Sequence, residues 1–80
     1  MDDKTILERI MTLISEEHAI LDHEAEKGAA LEHRARLSEI QGMLDQCWDL
    51  LRQRRGLREF GMNPDDAQVR DVNTVERYQQ

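Results

Sequence analysis

The chain predicts an all-α fold: a long antiparallel two-helix hairpin, coiled-coil-like, with a short C-terminal helix or extended tail. Three observations predict it. Apolar residues recur at seven-residue spacing over two long stretches. One proline, 35% charged residues and 4% aromatic residues suit helices, whereas strands draw on β-branched and aromatic side chains. A single stop signal, Lys27-Gly28-Ala29, divides the two stretches. Eighty residues make one small domain, able to bury only roughly 60–65% of its unfolded surface. Scaffolds of this size usually need a disulfide, a metal or oligomerisation. One cysteine excludes an internal disulfide.

The first helix is expected from about Asp3 to Glu26. Asp2, Asp3 and Thr5 are its cap candidates, and Thr5 with Glu8 has capping-box spacing. Early carboxylates also suit the positive end of the helix dipole. The second helix is expected from about Ala30 to Phe60. Gly42 and Gly56 lie inside it, each less helix-favouring than alanine by about 1 kcal/mol. A break at Gly61 follows. Asn63-Pro64-Asp65-Asp66 then reads as a cap, a first-turn proline and two acids, opening a helix of about two turns. Val69, Val72, Val75 and Tyr78 fall three apart, a spacing that suits a segment docking one edge on the helices or a loose tail. The chain thus divides into a hairpin over 1–61 and a short helix and tail over 62–80.

Each helix carries a stripe wider than a two-stranded seam needs. In the first, Ile6, Leu13 and Ile20 flank one side and Leu7, Ile14 and Leu21 the other, with Asp3, Ile10, Glu17 and Glu24 between. In the second, Met43, Leu50 and Leu57 face Leu37, Leu44 and Leu51 across His33, Ile40, Cys47 and Arg54. A short turn makes the helices antiparallel, so partners across the hairpin sum to about 57 in residue number. Ile10 then meets Cys47, Asp3 meets Arg54 and Glu24 meets His33. Glu17 faces Ile40, so it belongs in water at the stripe edge or with a partner on another chain. One hairpin cannot cover its own leucines. A homodimer forming a four-helix bundle is the natural cover, with Leu13, Ile20, Met43, Trp48, Leu50 and Leu57 as interface candidates.

The net charge of −6 argues against a general nucleic-acid binder. The charge is uneven: residues 1–26 carry eight acids and two bases, whereas 51–60 carry four arginines and one acid. Arg52, Arg54, Arg55 and Arg58 are candidates for contact with a phosphate, an RNA or an acidic protein. The simpler reading sets them at a helix C-terminus, beside Asp2 and Asp3 across the hairpin. His18, His23 and His33 gather with Glu17, Asp22, Glu24 and Glu26 near the turn, but no zinc spacing or paired Glu-x-x-His motif is present, so they read as surface charge. Cys47 reads as a small core hydrophobe, mid-helix and away from any activating cation. Trp48 reads as a packing anchor or interface residue. No nucleophile elbow, phosphate loop or triad can be built, so no catalytic, cofactor or metal residue is assigned. No stretch resembles a signal peptide or reaches transmembrane length. With a lone cysteine, that suggests a reduced, cytoplasmic setting.

Met1-Asp2-Asp3-Lys4-Thr5-Ile6-Leu7, the Glu16-Glu17-His18 step and above all Asp45-Gln46-Cys47-Trp48-Asp49-Leu50-Leu51-Arg52-Gln53-Arg54-Arg55 resemble a family of small actinobacterial proteins, domain-of-unknown-function family 2630. Asn63-Pro64-Asp65-Asp66-Ala67 and the run from Val72 to Tyr78 resemble that family's ending. The resemblance implies a bacterial cytosolic setting and supplies no activity. The functional expectation is a non-enzymatic interaction or adaptor protein, acting through homodimerisation and an unidentified protein partner. The alternative is a regulator touching nucleic acid or the transcription machinery through Arg52–Arg58. The first expects those arginines paired with acids, the second expects them solvent-facing and contiguous.

Overall fold

The computed structural model describes residues 1–27 and 31–79, with side chains described outside 24–30 and 76–80. The elements are α1 (Asp3–Lys27), α2 (Leu31–Glu59), a 3-10 turn (Pro64–Asp66) and α3 (Val72–Gln79). No strand occurs among the described residues. α1 starts where its cap dictates: the Thr5 amide donates to Asp2 Oδ1 at 2.8 Å, satisfying one of the free amides of the first turn. The turn expected at Gly28 lies outside the described residues. α2 ends in a Schellman arrangement. The Met62 amide reaches Leu57 O at 2.8 Å and the Gly61 amide reaches Arg58 O at 3.1 Å, with Gly61 at φ 70°. That is the break expected at Gly61.

The antiparallel hairpin is shown by its cross-links. Asp3 at the start of α1 meets Arg54 near the end of α2, while Glu16 and Glu17 meet Arg36 and Gln41 further along. The core between the helices is Ile6, Ile10 and Leu13 from α1 with Ile40, Leu44, Cys47 and Leu50 from α2. Burying each large aliphatic side chain contributes about 1.5–3 kcal/mol, so this short list is the main cohesive element. The stripe of α1 is engaged unevenly, whereas α2 buries Leu44 and Leu50, one from each flank. Leu7 and Leu21 stay about half exposed while Ile6 and Leu13 are buried.

Downstream of α2 the structure departs from the expected two-turn helix. The proline opens a single 3-10 turn, with the Asn63 side chain accepting from the Asp65 amide at 3.0 Å. The reason is competition for backbone groups. Pro64 O accepts from Ala67 N at 3.1 Å and from Arg54 Nη1 at 3.2 Å, and the Gln68 amide turns to Gln53 Oε1. A further helical turn would need those same groups. The chain instead runs back along α2, with Gln53 Nε2 donating to Gln68 O at 2.8 Å and Gln46 Nε2 to Arg70 O at 3.1 Å. Asp71 then caps α3, its carboxylate accepting from the Thr74 amide at 2.8 Å. Val72 and Val75 come down on α2, and Val75 is fully buried. Gly42 makes room for Val72: a Cβ there would stand 3.2 Å from Val72 Cγ2. The tail docks, and α2 is the middle layer between α1 and the tail.

Candidate interaction surfaces

Gly42, Gln46, Asp49 and Gln53 recur at intervals of four, three and four, so they form one line along α2. The docked tail covers that line. At its centre Asp49 is 0% exposed. Arg70 holds it with two guanidinium contacts, Nε to Oδ2 at 2.8 Å and Nη2 to Oδ1, and Gln53 Nε2 adds a third donor at 2.9 Å. Burial alone would push the Asp49 carboxyl up. The hydrogen bonds from Arg70 and Gln53 and the charges of Arg70 and Arg52 outweigh it, so the carboxyl lies below its ordinary value. Sequence reasoning assigned no role to this clasp. Three polar residues align with a glycine on one line of α2, but Arg70 stands off the row of Val69 and Val72 beside it, and nothing local marks it as the partner of Asp49.

The expected interface residues divide between two sides of the hairpin. By helical rotation Met43, Leu50 and Leu57 lie in the angle between α1 and the tail, with Leu13 and Ile20 facing them from α1. Leu13 and Leu50 are 5% and 6% exposed, and Ile20 and Met43 pack partly buried against the same core. Leu57 is partly buried. Trp48 stands about 130° around α2 from the tail line. It is 48% exposed and shares the opposite side with Leu7, Met11 and Leu21, which are also exposed. The tail therefore covers one flank of the hairpin and leaves the other open.

All four arginines of the cluster have carboxylate partners. Arg54 is nearly buried and donates to Asp3 at 2.6 Å and to Asp65 at 2.9 Å. Arg58 Nη2 meets Asp3 Oδ2 at 3.0 Å, Arg55 meets Glu59 at 3.1 Å and Arg52 meets Asp49 at 3.8 Å. Hydrogen bonds from Arg54 and Arg58 hold the Asp3 carboxyl below its ordinary value. The expected Asp3–Arg54 pair is present, and Arg54 also ties the 3-10 turn to the hairpin's open end. Glu17 accepts from Gln41 within the same chain. The Glu24 side chain, expected opposite His33, lies outside the described residues.

Near the turn, the His23 and His33 rings meet edge to face with centroids 5.1 Å apart. Among the described residues no three His, Cys, Asp or Glu side chains are grouped to hold a metal ion. Cys47 is a buried free thiol whose pKa burial pushes up. Against the expectation of no cation beside it, Arg9 approaches the sulfur from α1 and partly offsets that rise. The residue numbers explain the meeting, since 9 and 47 lie close to the hairpin sum. Beside them is a cavity of about 270 Å³ lined by Met1, Arg9, Met43, Gln46, Cys47, Leu50 and Val69. No described helix is long and apolar enough to cross a membrane.

A family model described as a protein of unknown function, DUF2630, matches residues 2–80. Among curated proteins the chain is similar to uncharacterised proteins of Mycobacterium bovis and of two strains of Mycobacterium tuberculosis. Each is 43% identical over 77 residues, covering 95% of this chain and 88% of the relative. No solved structure matches.

Proposed function

For a chain that belongs to the DUF2630 family of proteins of unknown function, we propose a non-enzymatic helical interaction module that pairs with a second copy through its open apolar face. The observation that carries this reading is the exposed set Leu7, Met11, Leu21 and Trp48, on the side of the hairpin away from the tail. Area supports it. A compact monomer of 9.4 kDa exposes about 5,000 Å². This chain exposes 5846 Å². The excess is close to the roughly 800 Å² that one partner contributes to a standard interface.

The paired state of Arg52, Arg54, Arg55 and Arg58 supports this reading over one in which the cluster grips nucleic acid. The reading sets the module in the bacterial cytosol, supported by the free Cys47 thiol. A protein partner beyond the second copy would meet the same face or the bundle built from it. Sedimentation velocity between 1 and 100 μM tests the pairing. A dimer that a Met11→Glu substitution converts to monomer, with helix content by circular dichroism kept, is the expected result. A wild-type chain that stays monomeric across that range sinks the proposal.

A further inference from the structure

The cavity beside Cys47 lies on the tail side of the hairpin and plays no part in the pairing face. Its walls are apolar and soft: Met1, Met43, Leu50 and Val69, with the Cys47 thiol at one side. Two polar groups interrupt them. Gln46 is committed, since its amide nitrogen donates to Arg70 O at 3.1 Å. Arg9 is not committed to an acid. Among the described residues Arg36, Arg52, Arg54, Arg55, Arg58 and Arg70 each form an ion pair, Arg9 and Arg34 form none, and of those two Arg9 is the one that lines the cavity. In a chain of net charge −6, this places guanidinium donors without a carboxylate partner at the edge of an apolar cavity, where they can meet an anionic head group. Arg9 is exposed overall and lines the cavity, so it stands at the mouth, with one side in water.

We propose that this cavity binds a small amphiphilic carboxylate, its apolar chain against Met43, Cys47, Leu50 and Val69 and its carboxylate on Arg9. The volume sets the size. About 270 Å³ in a cavity partly open to solvent admits a small molecule, such as an eight-carbon fatty acid. The charge of Arg9 sets the sign, and its planar fork suits a carboxylate bound bidentately. Val69 ties the site to the tail, because the segment that carries it is pinned by the Gln53–Gln68, Gln46–Arg70 and Asp49–Arg70 contacts. A bound ligand therefore favours the docked tail and shields the Cys47 thiol.

The test uses the full chain and octanoate, with octylammonium and octanol as controls. Two readouts are taken: calorimetric titration, and the rate at which iodoacetamide alkylates Cys47. Octanoate should saturate with a dissociation constant of roughly 0.1–1 mM, a fair value for a ligand of about ten atoms. It should slow alkylation at least about five-fold at saturation, and the two controls should not. Arg9→Gln, which removes no ion pair, should weaken octanoate about ten-fold with helix content unchanged. Absence of saturation below about 10 mM overturns the site. So does equal protection by octylammonium, or equal binding by Arg9→Gln. Binding that shifts Trp48 fluorescence and leaves Cys47 unprotected assigns the ligand to the open apolar face and also overturns it. Should Arg9→Gln fail to fold, the contrast between octanoate and octylammonium on the wild-type chain decides the matter.

Discussion

At the scale of single residues, the two glycines inside α2 look alike in sequence and differ in place. A Cβ at Gly56 meets nothing within 4 Å, whereas one at Gly42 meets Val72 at 3.2 Å. Gly56→Ala should raise stability by about 0.5–1 kcal/mol in urea unfolding, the helix-propensity difference alone. Gly42→Ala should gain less than that or lose, because the docked tail must shift to admit the methyl group. Equal gains at both sites would contradict the docking of Val72. Cys47 makes a second residue-scale prediction. Burial raises its pKa, so less thiolate is present near neutral pH than on an unfolded chain, and reagent must also reach it. Alkylation of the native protein at pH 7.5 should run at least about ten times slower than in strong denaturant. Arg9 explains why sequence alone misjudged this thiol's surroundings: its contact with Cys47 crosses the hairpin, and it lies just outside the apolar rows that the heptads mark.

Between elements, the clasp of Asp49 and Arg70 decides whether the tail stays down. Removing one partner of a buried ion pair leaves the other uncompensated and typically costs about 3–5 kcal/mol. Arg70 is about a third exposed, so Arg70→Ala should lose about 2–3 kcal/mol, after discount for solvent. Amide exchange should accelerate in α3 first and leave α1 and the core half of α2 little changed. The pH dependence follows from the same groups. Asp49, Asp2, Asp3 and Glu16 all ionise below their ordinary values in the folded chain. At acid pH the unfolded chain therefore binds more protons than the folded one. The stability these carboxylates contribute is full above their ordinary range, near 3.8 for the aspartates, and is lost as pH falls through the lower folded values. The urea midpoint should stay level from pH 7 to 5 and fall below about pH 4. Asp49→Asn should flatten the part of that fall read from α3. The hairpin, the Asp3–Arg54 pair and the break at Gly61 were legible because periodicity, antiparallel arithmetic and a left-handed glycine are local or repeating signals. The strap was legible only in part: the three-residue spacing of Val69, Val72 and Val75 suits a docked edge, but nothing local marks Arg70 as the partner of Asp49, and the proline that signals a helix start also signals a single turn. Which turn forms depends on Arg54 and Gln53, ten and more residues upstream.

On the scale of the whole molecule, the shape bears on stability. The radius of gyration is 15.0 Å, against about 11.6 Å for a compact chain of 80 residues, and the thinnest extent is 15 Å. A body this flat has little interior, and its core is a single row of contacts reinforced on one flank by the tail. If the open flank pairs with a second copy, folding and association are linked, and the unfolding midpoint must rise with protein concentration. At concentrations about a hundred times the dissociation constant the added stability approaches 2.7 kcal/mol. Two variants separate this from an intrinsically stable monomer. Met11→Glu sits on the open face and is already 68% exposed in the single chain. It should abolish the concentration dependence and leave the dilute-solution midpoint near that of the wild type. Leu13→Ala removes a core side chain on the covered flank. It should lower the midpoint at every concentration, by about 2–4 kcal/mol, and keep the concentration dependence. Thermal unfolding of the three chains at 1, 10 and 100 μM gives the comparison. A wild-type midpoint that does not move with concentration would mean that the tail alone completes the fold and that the Leu7, Met11, Leu21 and Trp48 face serves something other than a second copy.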